Sequence, residues 1–470
     1  MEHRLSDTID VIDPATGQAI GQIPAGGPED ADAAARRARA ALPGWARTDA
    51  AERGALLKAA ARRLRDRADE LADIQTRENG KPLADSRGGI DAGINTIEQY
   101  AELGPLHRGR SLVGSWGASD MMVHEPRGVA AVIVPWNDPI AIACGSIAAC
   151  LVTGNTVVFK PSEKTPLSAI RLVELMNEEL PDGVLNLLLG DGRAGAPLVE
   201  HPDVDVVMHT GSTATGREIA ATCARELKKC VLELGGKDAL IVDAGVNPQW
   251  AAEQAATGAF ANAGQICTSV ERIYVHADVA EPFVDALTER ARALKVGPGS
   301  DAATEMGPLI DERQRAVVHA HVSDAVERGA ELRAGGELDG GDGFFYPATV
   351  VVGADDDMTL MREETFGPVA AIRVVDSFDE AIERANAGGY GLAATVLTPS
   401  EEHAERAWRE LEVGTVKVNA VFGGAPGGSA EPHRQSGMGY GYGPELLDEV
   451  TITKVVHVEA AVTPQRANQR

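Results

Sequence analysis

Cys267 stands in the stretch GQICTS, Gly264 to Ser269, among small and polar residues just after an alanine-rich run. A cysteine with a structural job usually sits inside an apolar run, so this thiol reads as lying on a turn that water or a substrate can reach. As a thiolate it could form a covalent intermediate with an electrophilic carbon; taken singly, a lone cysteine is more often inert. Polar clusters elsewhere follow apolar runs: PWND with Asn137, KPSE with Lys160 and Glu163, HTGSTATG with Ser212, and ELGGK with Glu233. Glu233 ends an apolar run and precedes two glycines. A carboxylate so placed is partly desolvated, which raises its pKa toward that of a general base; the plain alternative is a solvated strand end. Ser212 opens a helix directly after a strand, where its hydroxyl and the free N–H groups suit a phosphate, or simply cap the helix. The GxGxxG spacing of a dinucleotide fingerprint is absent. Lys160 and Glu163 suit the ribose hydroxyls of a nucleotide, or form a surface ion pair of little worth. Together on one chain, these clusters point to a catalytic site beside a nucleotide site.

The elements that must position them alternate. A short hairpin is expected in the first thirty residues, around Pro14 and Gly17. Pro28 to about Glu102 reads as a run of surface helices. Strands are then expected at GVAAVIVPWN, NTVVFKPSE, VLNLLLG, VDVVMHTGS and CVLELGG, with helices between. That alternation implies right-handed crossovers and a parallel sheet, whose ligands bind at the C-terminal strand ends. A second series runs from DALIVDA through ERIYVHADV and past FFYPATVVV. The segment Pro105 to Arg127 fits neither series. With TITKVVHV near the C-terminus it reads as a projecting hairpin that pairs with another subunit. The last residues, TPQRANQR, read as disordered.

At 470 residues the chain is too long for one ordinary core. A net charge of −26 argues against nucleic acid and anionic membrane surfaces. No run approaches 18 apolar residues, and the N-terminus lacks the apolar core of a signal peptide, so a cytoplasmic address is expected. The five cysteines show no CxxC pair and no metal-like spacing; they read as reduced thiols, four of them as small buried hydrophobes, and no metal is expected.

These stretches together resemble the aldehyde dehydrogenase superfamily over essentially the whole chain. The resemblance implies an α/β fold: a parallel-sheet cofactor domain (1–104 and 127–235), an α/β catalytic domain (236–435), and a β-arm for oligomerisation (105–126 and 450–462). It implies NAD(P)-dependent oxidation of an aldehyde to a carboxylic acid. Cys267 would be the nucleophile, Asn137 with the Cys267 N–H the oxyanion hole, and Glu233 the base that activates water. Cofactor contacts would come from Trp136, Lys160, Ser162, Glu163, Gly211, Ser212, Gly235, Glu364 (in EETFGPV) and Phe366. Asp138, Ile266, Thr268 and Phe422 would line the substrate tunnel.

NAD is expected over NADP, because a 2′-phosphate would meet the Glu163 carboxylate. Asp138 stands where the family commonly has an aromatic ring, and GGSAEPHRQSG, with Glu431, His433 and Arg434, replaces an aromatic-containing segment; both imply a polar aldehyde. A homodimer or homotetramer is expected. The rival readings are a CoA-acylating dehydrogenase, which usually lacks a base at the Glu233 position, and a non-catalytic relative that keeps the fold.

Overall fold

The computed structural model describes residues 8–338, 340–424 and 427–461. The proposed signal-free first residues, the TPQRANQR tail and the last residue of the expected arm, 462, lie wholly or largely outside that range. Two sheets organise the chain. The first is six-stranded, in the order Gly437–Met438, Lys229–Glu233, Val206–Thr210, Val129–Ile133, Thr156–Lys160, Leu185–Leu187. All but the Gly437–Met438 strand run parallel. Val129, Ala130, Val157, Val158, Val206 and Val207 are fully buried, as strands covered by helices on both faces require.

The expected hairpin forms from Thr8–Asp13 and Gln18–Pro24. The helices that follow, Pro28–Trp45, Ala50–Asp66, Ala68–Asn79 and Leu83–Leu103, are more than a surface run. They bury Leu57, Leu64, Leu71, Ile90, Ile94 and Ile97 completely in one core with the first sheet. Alanine and arginine at high density masked that apolar stripe in the sequence. Helix Leu83–Leu103 packs closely on Pro139–Val152, where a Cβ at Gly93 would come within 3.1 Å of Ala141 Cα and Cys144 Sγ. Cys144, Cys150 and Cys223 are buried, and Cys230 is half-buried.

The second sheet is seven-stranded and contains Asp238–Val242, Val270–His276, Thr349–Val352, Val369–Val375, Ala393–Leu397 and Thr415–Val418 in parallel, with Glu331–Ala334 antiparallel at one edge. It has its own hydrophobic core. Strands Arg110–Leu112, Ala118–Pro126 and Thr451–Glu459 form a separate antiparallel ribbon. Among the described residues no helix is long and apolar enough to cross a membrane.

Candidate active site

The first sheet presents its C-terminal strand ends to one cleft. Val129–Ile133 leads to Trp136 and Asn137, Thr156–Lys160 to Ser162 and Glu163, Val206–Thr210 to Gly211 and Ser212, and Lys229–Glu233 ends on Glu233 itself. Cys267 arrives from the other sheet, on the turn just before strand Val270–His276. The site therefore lies between the two sheets.

The turn carrying the cysteine is built on unusual backbone. Asn262, Ala263 and Gly264 all have positive φ, and a Cβ on Gly264 would stand 2.0 Å from the Gly367 carbonyl oxygen. Buried amides hold it. Gln265 Nε2 donates to the Asn262 and Pro308 carbonyls, and its Oε1 accepts from the Ile310 N–H at 2.9 Å. Asn137 Nδ2 donates to the Gln265 carbonyl at 3.0 Å, tying the two loops together and leaving its second N–H free for another acceptor.

A cavity of about 230 Å³ is lined by Cys267, Asn137, Glu233, Gly235, Glu364 and Phe366, among others. It shares Trp136, Gly211 and Ser212 with a longer cavity of about 680 Å³ that includes Lys160, Ser162 and Glu163. Every expected catalytic and cofactor residue thus borders one or other of these two adjoining cavities.

Charge in that space is strongly perturbed. Burial raises the Glu233 carboxyl to about 7 against the opposing pull of the Gly441 N–H. Burial, then the charges of Asp238, Glu233 and Glu364, push the Cys267 thiol up to about 12. The Thr268 N–H and the cation Lys417, which interacts with Cys267, oppose that rise.

Glu364 lies against Gly235, where a Cβ would clash at 2.3 Å, and accepts the Gly236 N–H at 3.0 Å. Burial and Glu271 raise its pKa. Beneath it runs a buried ion pair, Lys237 Nζ to Glu271 Oε2 at 2.5 Å. The Glu271 carboxylate also accepts the N–H groups of Thr365 and Phe366, each at 2.8 Å. Phe366, at φ +51°, meets Trp136 edge to face at 5.4 Å, and Gln314 Nε2 donates to the Thr365 and Phe366 carbonyls. Lys237, Glu271 and Gln314 were not singled out from the sequence; ELGGK contained Lys237, but nothing local marked its partner 34 residues on.

Several tunnel expectations need correction. Asp138 lines neither cavity and pairs with Lys81 Nζ at 3.1 Å, beside Gly89 of helix Leu83–Leu103. Arg434 donates to the Asn386 and Gly388 carbonyls and pairs with Glu412, and Glu431 accepts the Gly439 N–H; His433 is exposed in a small hairpin. Asp138 and Arg434 thus pair with local side chains, and Glu431 with a backbone N–H. Ile266 and Thr268 flank Cys267, partly exposed, and Phe422 is exposed beneath Lys417; none of them lines the two cavities. One His–His–Asp group, His107, His124 and Asp448, sits at the root of the ribbon; its imidazoles stack at 4.3 Å.

Comparison with known proteins bears on the whole chain. Residues 2–456 match the aldehyde dehydrogenase family. A mitochondrial aldehyde dehydrogenase of Leishmania tarentolae is 37% identical over 454 residues, 96% of this chain and 91% of that one. The structure of betaine aldehyde dehydrogenase from Staphylococcus aureus, in complex with NAD+, superposes with a TM-score of 0.95 at 34% identity, covering 100% of this chain and 94% of that one. Lactaldehyde dehydrogenase from Escherichia coli gives 0.94 at 35% identity, with 97% of each chain covered. The chain belongs to the aldehyde dehydrogenase family, and its reaction is the oxidation of an aldehyde.

Proposed function

We propose that this protein oxidises a polar aldehyde to its carboxylic acid with NAD, through a thioester on Cys267. The observation that carries the reading is the single 230 Å³ cavity in which Cys267, Asn137 and Glu233 meet. Cys267 attacks the carbonyl carbon, and the free Asn137 N–H with a backbone N–H holds the oxygen. Losing one such donor costs roughly 3 kcal/mol of transition-state stabilisation. Glu233 then takes a proton from water, which cleaves the thioester and releases the acid. Its presence weighs against the CoA-acylating alternative, and the full set of groups against a non-catalytic relative.

The dinucleotide fits the residues present. The long cavity lies over parallel strand ends; Gly211 there, and Gly235 in the adjoining cavity, carry no Cβ atoms to collide with His209 and Glu364. Lys160, Ser162 and Glu163 would hold the adenosine half, Gly211 and Ser212 the phosphates, and Trp136, Glu364 and Phe366 the nicotinamide end. NAD, when bound, supplies the hydride acceptor. Residues 1–104 and 127–235 would form the cofactor domain and 236–435 the catalytic one.

A polar substrate is supported by a groove between helix Leu83–Leu103 and residues 414–416, 423–424 and 428–430. Asn95, Glu98, Gln99, Glu102, Ser429 and Tyr442 line it. Tyr442 donates to Gln99 Oε1, and its neighbour Gly441 touches Glu233. The exposed Trp116, Val113, Val455 and Val458 of the ribbon support pairing with a second copy. Unpaired thiols support a reducing, cytoplasmic compartment. Steady-state kinetics on hexanal, benzaldehyde, an aminoaldehyde and succinic semialdehyde, read as NADH, test the substrate class. Highest kcat/KM on hexanal or benzaldehyde would refute the polar substrate, and no NADH from any aldehyde the activity itself.

A further inference from the structure

Three ligating side chains meet outside the two cavities, where the ribbon joins the body of the molecule. His107 follows the turn Gly104–Leu106 that ends helix Leu83–Leu103, and His124 lies on ribbon strand Ala118–Pro126. Asp448 belongs to the short helix Leu446–Glu449, which leads into strand Thr451–Glu459. One nitrogen of each ring and one Asp448 oxygen lie within 4.8 Å of one another. Cysteine spacing gives no sign of such a group, because two imidazoles and a carboxylate are brought together here only by the fold.

The register of the ribbon sets the arrangement. His124 pairs directly across from Thr453, and Thr451 leaves the same face two residues earlier. Each threonine meets one ring: Thr453 Oγ1 lies 3.4 Å from His124 Nδ1, and Thr451 Oγ1 lies 3.2 Å from His107 Nε2. Thr451 gives its hydroxyl proton to the Leu447 carbonyl at 2.7 Å, so it turns a lone pair toward His107. His107 Nε2 also faces Asp448 Oδ1 at 3.8 Å, too far for a hydrogen bond. Two ligand atoms about 2.1 Å from a tetrahedral zinc ion stand about 3.4 Å apart. The 3.8 Å gap is close to that spacing, and Asp448, its side chain 67% exposed, has room to turn the rest of the way. The same exposure opens the group to ions in solution.

We infer that His107, His124 and Asp448 form a binding site for a divalent transition-metal ion of the zinc class, with water completing its coordination. Imidazole ligands select such ions over magnesium and calcium, which take oxygen. The bound ion fastens the ribbon strand to the segments on either side of it, and binding to the folded chain stabilises that chain. None of the three residues lines the catalytic or dinucleotide cavities.

The test uses tag-free Cys267→Ala protein, which takes the active-site thiol out of competition. It is stripped of metal and titrated with Zn2+ against a chromogenic chelator at pH 7.5. One zinc per chain is expected, with a rise in Tm. His107→Ala, His124→Ala and Asp448→Asn in the same background should each weaken binding by about tenfold or more and remove the rise in Tm. Co2+ in place of zinc should give visible ligand-field bands without thiolate charge transfer, since no sulfur ligates. If an alanine variant does not fold, His124→Phe keeps the ring stack without a ligating nitrogen. No zinc bound, zinc bound equally well by the histidine variants, or a thiolate band with cobalt would overturn the inference.

Discussion

Glu233 Oε1 accepts a hydrogen bond from the Gly441 N–H at 3.1 Å, and a Cβ on Gly441 would stand 2.3 Å from that same carboxylate. The contact exists because Gly437–Met438 returns to pair antiparallel with Leu232 and Glu233, bringing the following loop over the strand end. Gly441→Ala should displace the carboxylate and remove the bond that opposes its raised pKa. The expected result is a kcat lower by about ten- to a hundredfold, within the range of general-base catalysis, with KM little changed. The pH midpoint of kcat should move upward from that of the parent. A parental kcat and midpoint would show that Gly441 does not position the base.

Glu233→Gln separates chemistry from stability. The folded carboxyl titrates near 7 against an ordinary 4.5, so the folded state holds a proton that the unfolded chain gives up between those values. Stability from this group is present below about pH 4.5 and is lost as pH rises through about 7. Glu233→Gln should match the parent near pH 4.5 and exceed it at pH 8, by up to about 3 kcal/mol for a shift of this size. Denaturant melts at the two pH values check this; an equal difference at both would contradict the buried, raised carboxyl.

The buried Lys237–Glu271 pair anchors the backbone of Thr365 and Phe366. Glu271→Ala leaves Lys237 unpaired and should cost about 3–5 kcal/mol. NAD+ binding should weaken as well, because the Glu364–Phe366 turn loses its tether. Unchanged melting and unchanged affinity would assign the pair no such role.

NAD should be preferred over NADP if Glu163, which lines the long cavity, meets the adenosine ribose as proposed. Like charges about 4 Å apart repel by on the order of 4 kcal/mol at an effective dielectric of 20, less whatever rotation of Glu163 relieves. Glu163→Gln should narrow the preference, read as the ratio of kcat/KM with the two cofactors. A parent with equal efficiency on both would defeat the argument.

The sequence carried the sheets and the cavity-lining residues because apolar strands ending in polar turns have a local signature. Cys267 was legible for the opposite reason, as a cysteine in a polar setting. What stayed hidden depends on contacts between distant segments. Asp138 is a charge beside Asn137 in the sequence, yet its partner, Lys81, comes from the helical layer. Arg434 and Glu431 likewise spend their charge locally. His209 reads as one polar residue in an apolar strand until the register sets it on the same sheet face as Lys160, across Ile133.

The central claim is that Cys267 carries the acyl group and Glu233 removes it. Glu233→Gln mixed rapidly with aldehyde and NAD+, quenched in acid and digested, should release about one NADH per site in the burst, slow steady turnover by about a hundredfold or more, and leave the acyl mass on the peptide containing Cys267. Cys267→Ala should bind NAD+ and show neither burst nor adduct. A burst that survives in Cys267→Ala, or an acyl group found on another residue, would contradict the account.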